Sequence, residues 1–76
     1  MNADRRKRLQ ELVGDIEQAK SQLEEIRDEE QDYLDNMPEN LQGSEKYERA
    51  EEVVRYLEEG VDSVDTIVDA INSASE

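Results

Sequence analysis

The stretch Leu34–Tyr47, LDNMPENLQGSEKY, holds the only proline of the chain, Pro38, and one of its three glycines, Gly43. Whether it is a linker, a binding loop or a chain reversal decides the architecture. The residue before a proline avoids the α region, so a helix arriving from the N-terminal side ends near Asn36 or Met37. Gly43 then breaks the chain, and Ser44 is placed as the N-cap of a second helix opening at Glu45. Leu41 is positioned to close the end of a core over Met37 and Tyr47. Asn36 and Gln42 are positioned to hydrogen-bond the turn. A helix–helix turn is the expectation.

The flanks support that reading. Before the turn, Leu9, Leu12, Ile16, Ala19, Leu23, Ile26, Glu30, Tyr33 and Met37 follow each other in alternating steps of three and four. With Leu9 at position a, this is an a/d seam in which only Glu30 is polar. After the turn, Tyr47, Ala50, Val54, Leu57, Val61, Val64, Val68 and Ile71 repeat the pattern with Tyr47 at a. Folding the chain at its centre opposes Leu9 with Ile71, Leu12 with Val68, Ile16 with Val64 and Ala19 with Val61. It also opposes Leu23 with Leu57, Ile26 with Val54, Glu30 with Ala50 and Tyr33 with Tyr47. Every a position meets a d position, as an antiparallel coiled coil requires. The e positions place Lys20 beside Glu58 and Arg27 beside Glu51. Exposed pairs of this kind contribute only about 0–1 kcal/mol each, so they select orientation more than they stabilise.

The expected fold is therefore all-α: one antiparallel two-helix coiled-coil hairpin in a single domain. Its helices span about residues 3–36 and 44–73, with the turn at about 37–43. Arg5, Arg6, Lys7 and Arg8 begin helix one, where cations oppose the helix dipole, while Asp69 and Glu76 lie towards the end of helix two, where anions oppose it. In the hairpin these ends are neighbours and offset each other. A nucleic-acid-binding tail is a poor account of the four cations, because residues 9–76 carry five Lys or Arg against 21 Asp or Glu.

A chain of 76 residues with a net charge of −13 and a mean hydropathy of −1.05 has little apolar surface to bury. Domains of this size bury only about 60% of their unfolded surface, and small chains commonly need staples or partners. With no cysteine or histidine, disulfides and ordinary zinc sites are excluded. Self-association is the remaining route. No apolar run approaches the roughly 18 residues of a membrane span, and no signal-peptide pattern opens the chain, so a cytoplasmic location is expected. The negative charge disfavours nucleic acid and anionic membrane as direct partners and suits a basic protein.

Helix two carries a second stripe, beside the first, at its g and c positions: Val53, Tyr56, Gly60, Ser63, Ile67, Ala70 and Ala74. Helix one has no match, with Arg8, Asp15, Gln22 and Glu29 at g; only Val13 and Leu34 at e widen its apolar seam. A hairpin buries one stripe per helix, so this extra one is expected to pack on a second copy and form a four-helix bundle. A docking groove for a foreign protein is the alternative.

Catalysis needs a nucleophile with a base, a metal, or paired carboxylates in a pocket. None is legible here. The acids Asp28, Glu29, Glu30, Asp32 and Asp35 lack the glycine and alternating spacing of an EF-hand loop, as do Asp62, Asp65 and Asp69. A non-enzymatic protein without cofactor or metal is expected.

Two functions remain. Rows of carboxylates on a helix of about 30 residues, roughly 45 Å long, match about 13 base pairs of duplex and can occupy the basic groove of a nucleic-acid-binding protein. Glu17, Glu24, Glu25, Asp28, Asp32 and Asp35 on helix one, with Glu48, Glu52, Glu59 and Asp62 on helix two, are the candidate contacts. The alternative is an assembly or adaptor module in which the second stripe of helix two does the work and the acids keep the surface hydrated.

Over residues 27–48, RDEEQDYLDNMPENLQGSEKYE, the chain resembles a group of short, acidic, mostly uncharacterised helical-hairpin proteins encoded by bacteriophages and prophages. The resemblance rests on Asp28, Glu29, Glu30 and Gln31, then Asn36, Met37, Pro38, Glu39, Leu41, Gln42, Ser44 and Glu45. It covers about a third of the chain. It implies a phage or prophage origin, action in the cytoplasm of a bacterial host, and a role among inhibitors of host nucleic-acid-binding or defence proteins, where acidic DNA mimics recur.

Overall fold

The computed structural model describes residues 1–76. Helix α1 runs Ala3–Asp35 and α2 runs Glu45–Ala74. Between them lies one short 3-10 turn, Glu39–Leu41. The two helices pack antiparallel as a hairpin whose backbone measures 59 × 15 × 12 Å. No helix is long and apolar enough to cross a membrane.

The ends of the helices are closed by the residues that local chemistry favours. Asn2 Oδ1 accepts from the Arg5 N–H at 2.8 Å, and Ser44 Oγ accepts from the Tyr47 N–H at 3.3 Å, so both helices begin on a side-chain cap. At the end of α1, Asn36 Nδ2 donates to the Asp32 carbonyl at 2.8 Å, as expected of a residue that closes the turn. The Pro38 carbonyl then accepts from the Leu41 N–H and the Glu39 carbonyl from the Gln42 N–H, at 2.9 and 3.1 Å. This 3-10 turn was not legible from the sequence pattern. Gly43 follows with φ +85, a left-handed conformation that side chains resist, and the chain re-enters α2.

At the open end, Arg6 Nε donates to the Ser75 carbonyl at 2.8 Å. Arg6 thus sits against the negative end of the α2 dipole, while Arg8 pairs with Asp4 on its own helix. The contact is made to a terminal carbonyl rather than to the Asp69 or Glu76 carboxylates.

Only seven residues are buried: Leu34, Met37, Ala50, Val54, Val61, Val68 and Ser75. On α2 the a/d seam is where the sequence puts it. On α1 it is not. Leu12, Ile26 and Tyr33, three of the four d residues, are 46%, 52% and 44% exposed, and Ala19 is exposed as well. The e residues Val13, Lys20, Arg27 and Leu34 are half-buried or buried in their place. Helix α1 is rotated so that rows a and e, not a and d, face α2. The physical reason is that α1 has packable surface on three adjacent rows, and one partner helix covers only two. Leu34 seals the turn end, and the Lys20 and Arg27 stems lie along the seam with their charged heads outward.

The rotation also changes the ion pairs. Lys20 Nζ bonds Asp65 Oδ1 at 2.6 Å, one heptad beyond the expected Glu58. Arg27 turns to its neighbour Asp28 at 3.0 Å instead of crossing to Glu51.

Candidate interaction surfaces

Two contacts fix which rows share a side of the rod. Lys46 Nζ, at a g position of α2, stands 5.9 Å from the centre of the Tyr33 ring, at a d position of α1. The Lys20–Asp65 pair joins e to e on the opposite side. The hairpin therefore has two unlike long sides: d of α1 beside g of α2, and e and b of α1 beside e and b of α2.

The first side is apolar. It displays Leu12, Ala19, Ile26 and Tyr33 from α1 next to the expected α2 stripe. Of that stripe, Tyr56 and Ile67 are 53% and 49% exposed, Ser63, Ala70 and Ala74 are exposed, and Val53 is half-buried. Ser63 Oγ is satisfied by donating to the Glu59 carbonyl at 2.9 Å, and the Arg55 guanidinium stacks 5.4 Å from the Tyr56 ring. Gly60 is half-buried because Leu23 leans over it: a Cβ there would lie 3.3 Å from Leu23 Cδ2. So α2 has the width predicted for it. What the sequence pattern missed is that α1 contributes a matching row. The signal was present in the e positions Val13 and Leu34, which compete with Leu12 and Tyr33 for the seam.

The second side is acidic. Glu17 and Glu24 from α1 and Glu48 and Asp62 from α2 lie here, four of the ten acids singled out from the sequence. Glu51, Glu58, Asp65 and Asp69 join them and were missed, because the first two had been assigned to ion pairs that do not form. Glu48, Glu51 and Glu52 line a shallow depression with Arg55 as its cation. The other sequence candidates are not gathered here. Glu25, Asp28, Asp32 and Asp35 run along the outer edge of α1 and Glu59 along the back of α2, while Glu52 borders the acidic side at that depression and is paired to Arg49 at 3.4 Å. The acids are strung out lengthwise, and no group of three or more is arranged to hold a metal ion.

Lys20 is the one cation tied into the middle of the acidic side. Its hydrogen bond to Asp65 holds the ammonium above its ordinary 10.5, against an opposing effect of partial desolvation, and the nearby Glu24 and Glu17 carboxylates add to the rise. The positive charge is thus secured at the centre of a side whose other cations are Arg27, turned to Asp28, and Arg55.

Comparison with protein-family models, with curated proteins and with solved structures found no match.

Proposed function

We propose that the chain is a non-catalytic binding protein that engages a basic surface of another protein through its acidic side, in the manner of a nucleic-acid mimic. The observation that carries the reading is the segregation of charge. Glu17, Glu24, Glu48, Glu51, Glu58, Asp62 and Asp69 form a row along one side of a rod 59 Å long, interrupted by Lys20 paired to Asp65, Arg27 paired to Asp28, and Arg55. A surface that served only hydration would gain nothing from a side without exposed apolar residues opposite a side rich in them. A row of this kind draws a basic partner by long-range attraction and gives fast association that weakens as salt rises.

The resemblance over residues 27–48 supports a phage or prophage origin and a basic, nucleic-acid-binding or defence protein of the bacterial host, met in the cytoplasm, as the partner. A second reading, an assembly or adaptor module, is favoured by the exposed apolar side. Charge reversal separates the two. Glu17→Lys with Glu24→Lys and Glu58→Lys should abolish capture of the basic partner and leave self-association intact. Retained capture in that variant rejects the acidic-side reading.

A further inference from the structure

We infer that the apolar side is a homodimer interface, on which a second copy lies antiparallel, α1 on α1 and α2 on α2, around a twofold axis perpendicular to the rod at Leu23 and Gly60. The inference is independent of the acidic-side reading, because it uses the opposite face.

The rows themselves define the axis. On α1, Leu12 and Tyr33 are equally far from a point between Gln22 and Leu23, and so are Ala19 and Ile26. On α2, Val53 and Ile67 are equally far from Gly60. These two midpoints lie at one level of the rod, because Leu23 packs on Gly60 with only 3.3 Å to an added Cβ. A single axis therefore maps each row onto itself, as an isologous interface demands. It sets Leu12 against the partner's Tyr33, small Ala19 against the partner's Ile26, and Val53 against the partner's Ile67. At the centre, Gly60 faces its own copy, with the space a Cβ would take filled by Leu23 of the same chain.

Charge selects this axis over one running along the rod. The open end bears Arg5, Arg6, Lys7 and Arg8 against Asp4, Asp69 and Glu76 and is close to neutral, whereas the turn end bears Asp28, Glu29, Asp32, Asp35 and Glu39. An axis along the rod would place acidic turn on acidic turn. The perpendicular axis places the cations of each copy beside the acids of the other.

Area is sufficient. A face about 45 Å long, from 30 residues at 1.5 Å each, and as wide as the hairpin covers roughly 700 Å² per copy, within the range of specific interfaces. A hairpin with seven buried residues also stands to gain a core it otherwise lacks.

The chain has no native cysteine, so an Asn40→Cys variant carries one spin label at the exposed turn. Light scattering should give twice the 8.8 kDa chain mass, with the dimer fraction rising with salt because each copy carries −13. Dipolar spectroscopy should place the two labels nearly a rod length apart, against 59 Å for the hairpin itself. Ile26→Glu with Ile67→Glu should halve the mass. Should that variant instead unfold, the label distance in the unaltered dimer still decides. Labels within about 20 Å, two helix-packing distances, overturn the axis. A monomer mass at protein concentrations up to ~1 mM overturns the interface.

Discussion

Rotation of α1 can be tested by exchanging two residues of similar size on adjacent rows. Leu34, at e, is buried; Ile26, at d, is about half exposed. Leu34→Ala removes three buried carbons at about 0.8 kcal/mol each and leaves a small void, so it should destabilise the hairpin by about 2.5 kcal/mol. Ile26→Ala removes as many carbons, but half of that surface is already in water. It also gains helix propensity, which leaves a loss of about 0.8 kcal/mol. Against a total of roughly 4–11 kcal/mol for a chain of this size the difference is large. Urea unfolding followed by far-UV circular dichroism should show the Leu34→Ala midpoint about 2.5 M below the parent, for a slope near 1 kcal/mol/M. Ile26→Ala should shift the midpoint by less than half as much in dilute protein, and by more as concentration rises if Ile26 lies in the proposed dimer interface. An equal or larger loss for Ile26→Ala that does not depend on concentration would mean that rows a and d face α2 after all.

Further outcomes follow from single contacts. Gly60→Ala should raise hairpin stability by about 0.5 kcal/mol: the helix gains roughly 1 kcal/mol in propensity, and the Leu23 methyl must shift a few tenths of an ångström. Gly43→Ala should lower the thermal midpoint, since φ +85 costs a side chain about 1–2 kcal/mol. Ser44→Ala should remove about 1 kcal/mol through loss of the α2 cap, measured by the same unfolding curves. Lys20 has its pKa raised above 10.5 by Asp65, so its contribution is fully present below pH 10.5 and is lost as pH climbs through the higher folded value. The parent should therefore lose stability above pH 10.5 more steeply than Lys20→Met, in thermal scans across that range.

Much of the fold was legible because the signals were local or periodic. Pro38 with Asn36 set the end of α1, Ser44 set the start of α2, and the 3,4 repeat of α2 gave its buried face. The rotation of α1 was not legible, for a physical reason. Its d row offers Leu12, Ile26 and Tyr33, its e row offers Val13 and Leu34, and residue type does not say which is worth more to the partner helix. The tie is settled by the Lys20 and Arg27 stems, whose methylenes pack although their heads are charged, and by Leu23 seated on Gly60. The same rotation accounts for the candidate surfaces. Once e turns inward, Lys20 reaches Asp65 rather than Glu58, Glu51 and Glu58 are released to the acidic side, and Leu12 and Ile26 are released to the apolar one. The 3-10 turn at Glu39–Leu41 was hidden because Asn36, Pro38 and Gly43 suit several turn geometries equally well.

Binding through the acidic side is tested by capture of proteins from bacterial lysate on the tagged chain, at low and at high salt, identified by mass spectrometry. The expected result is a basic nucleic-acid-binding protein that is held at low salt, released at high salt and displaced by duplex DNA. Recovery of nothing beyond a second copy of the chain, or of a partner indifferent to both salt and DNA, would contradict it.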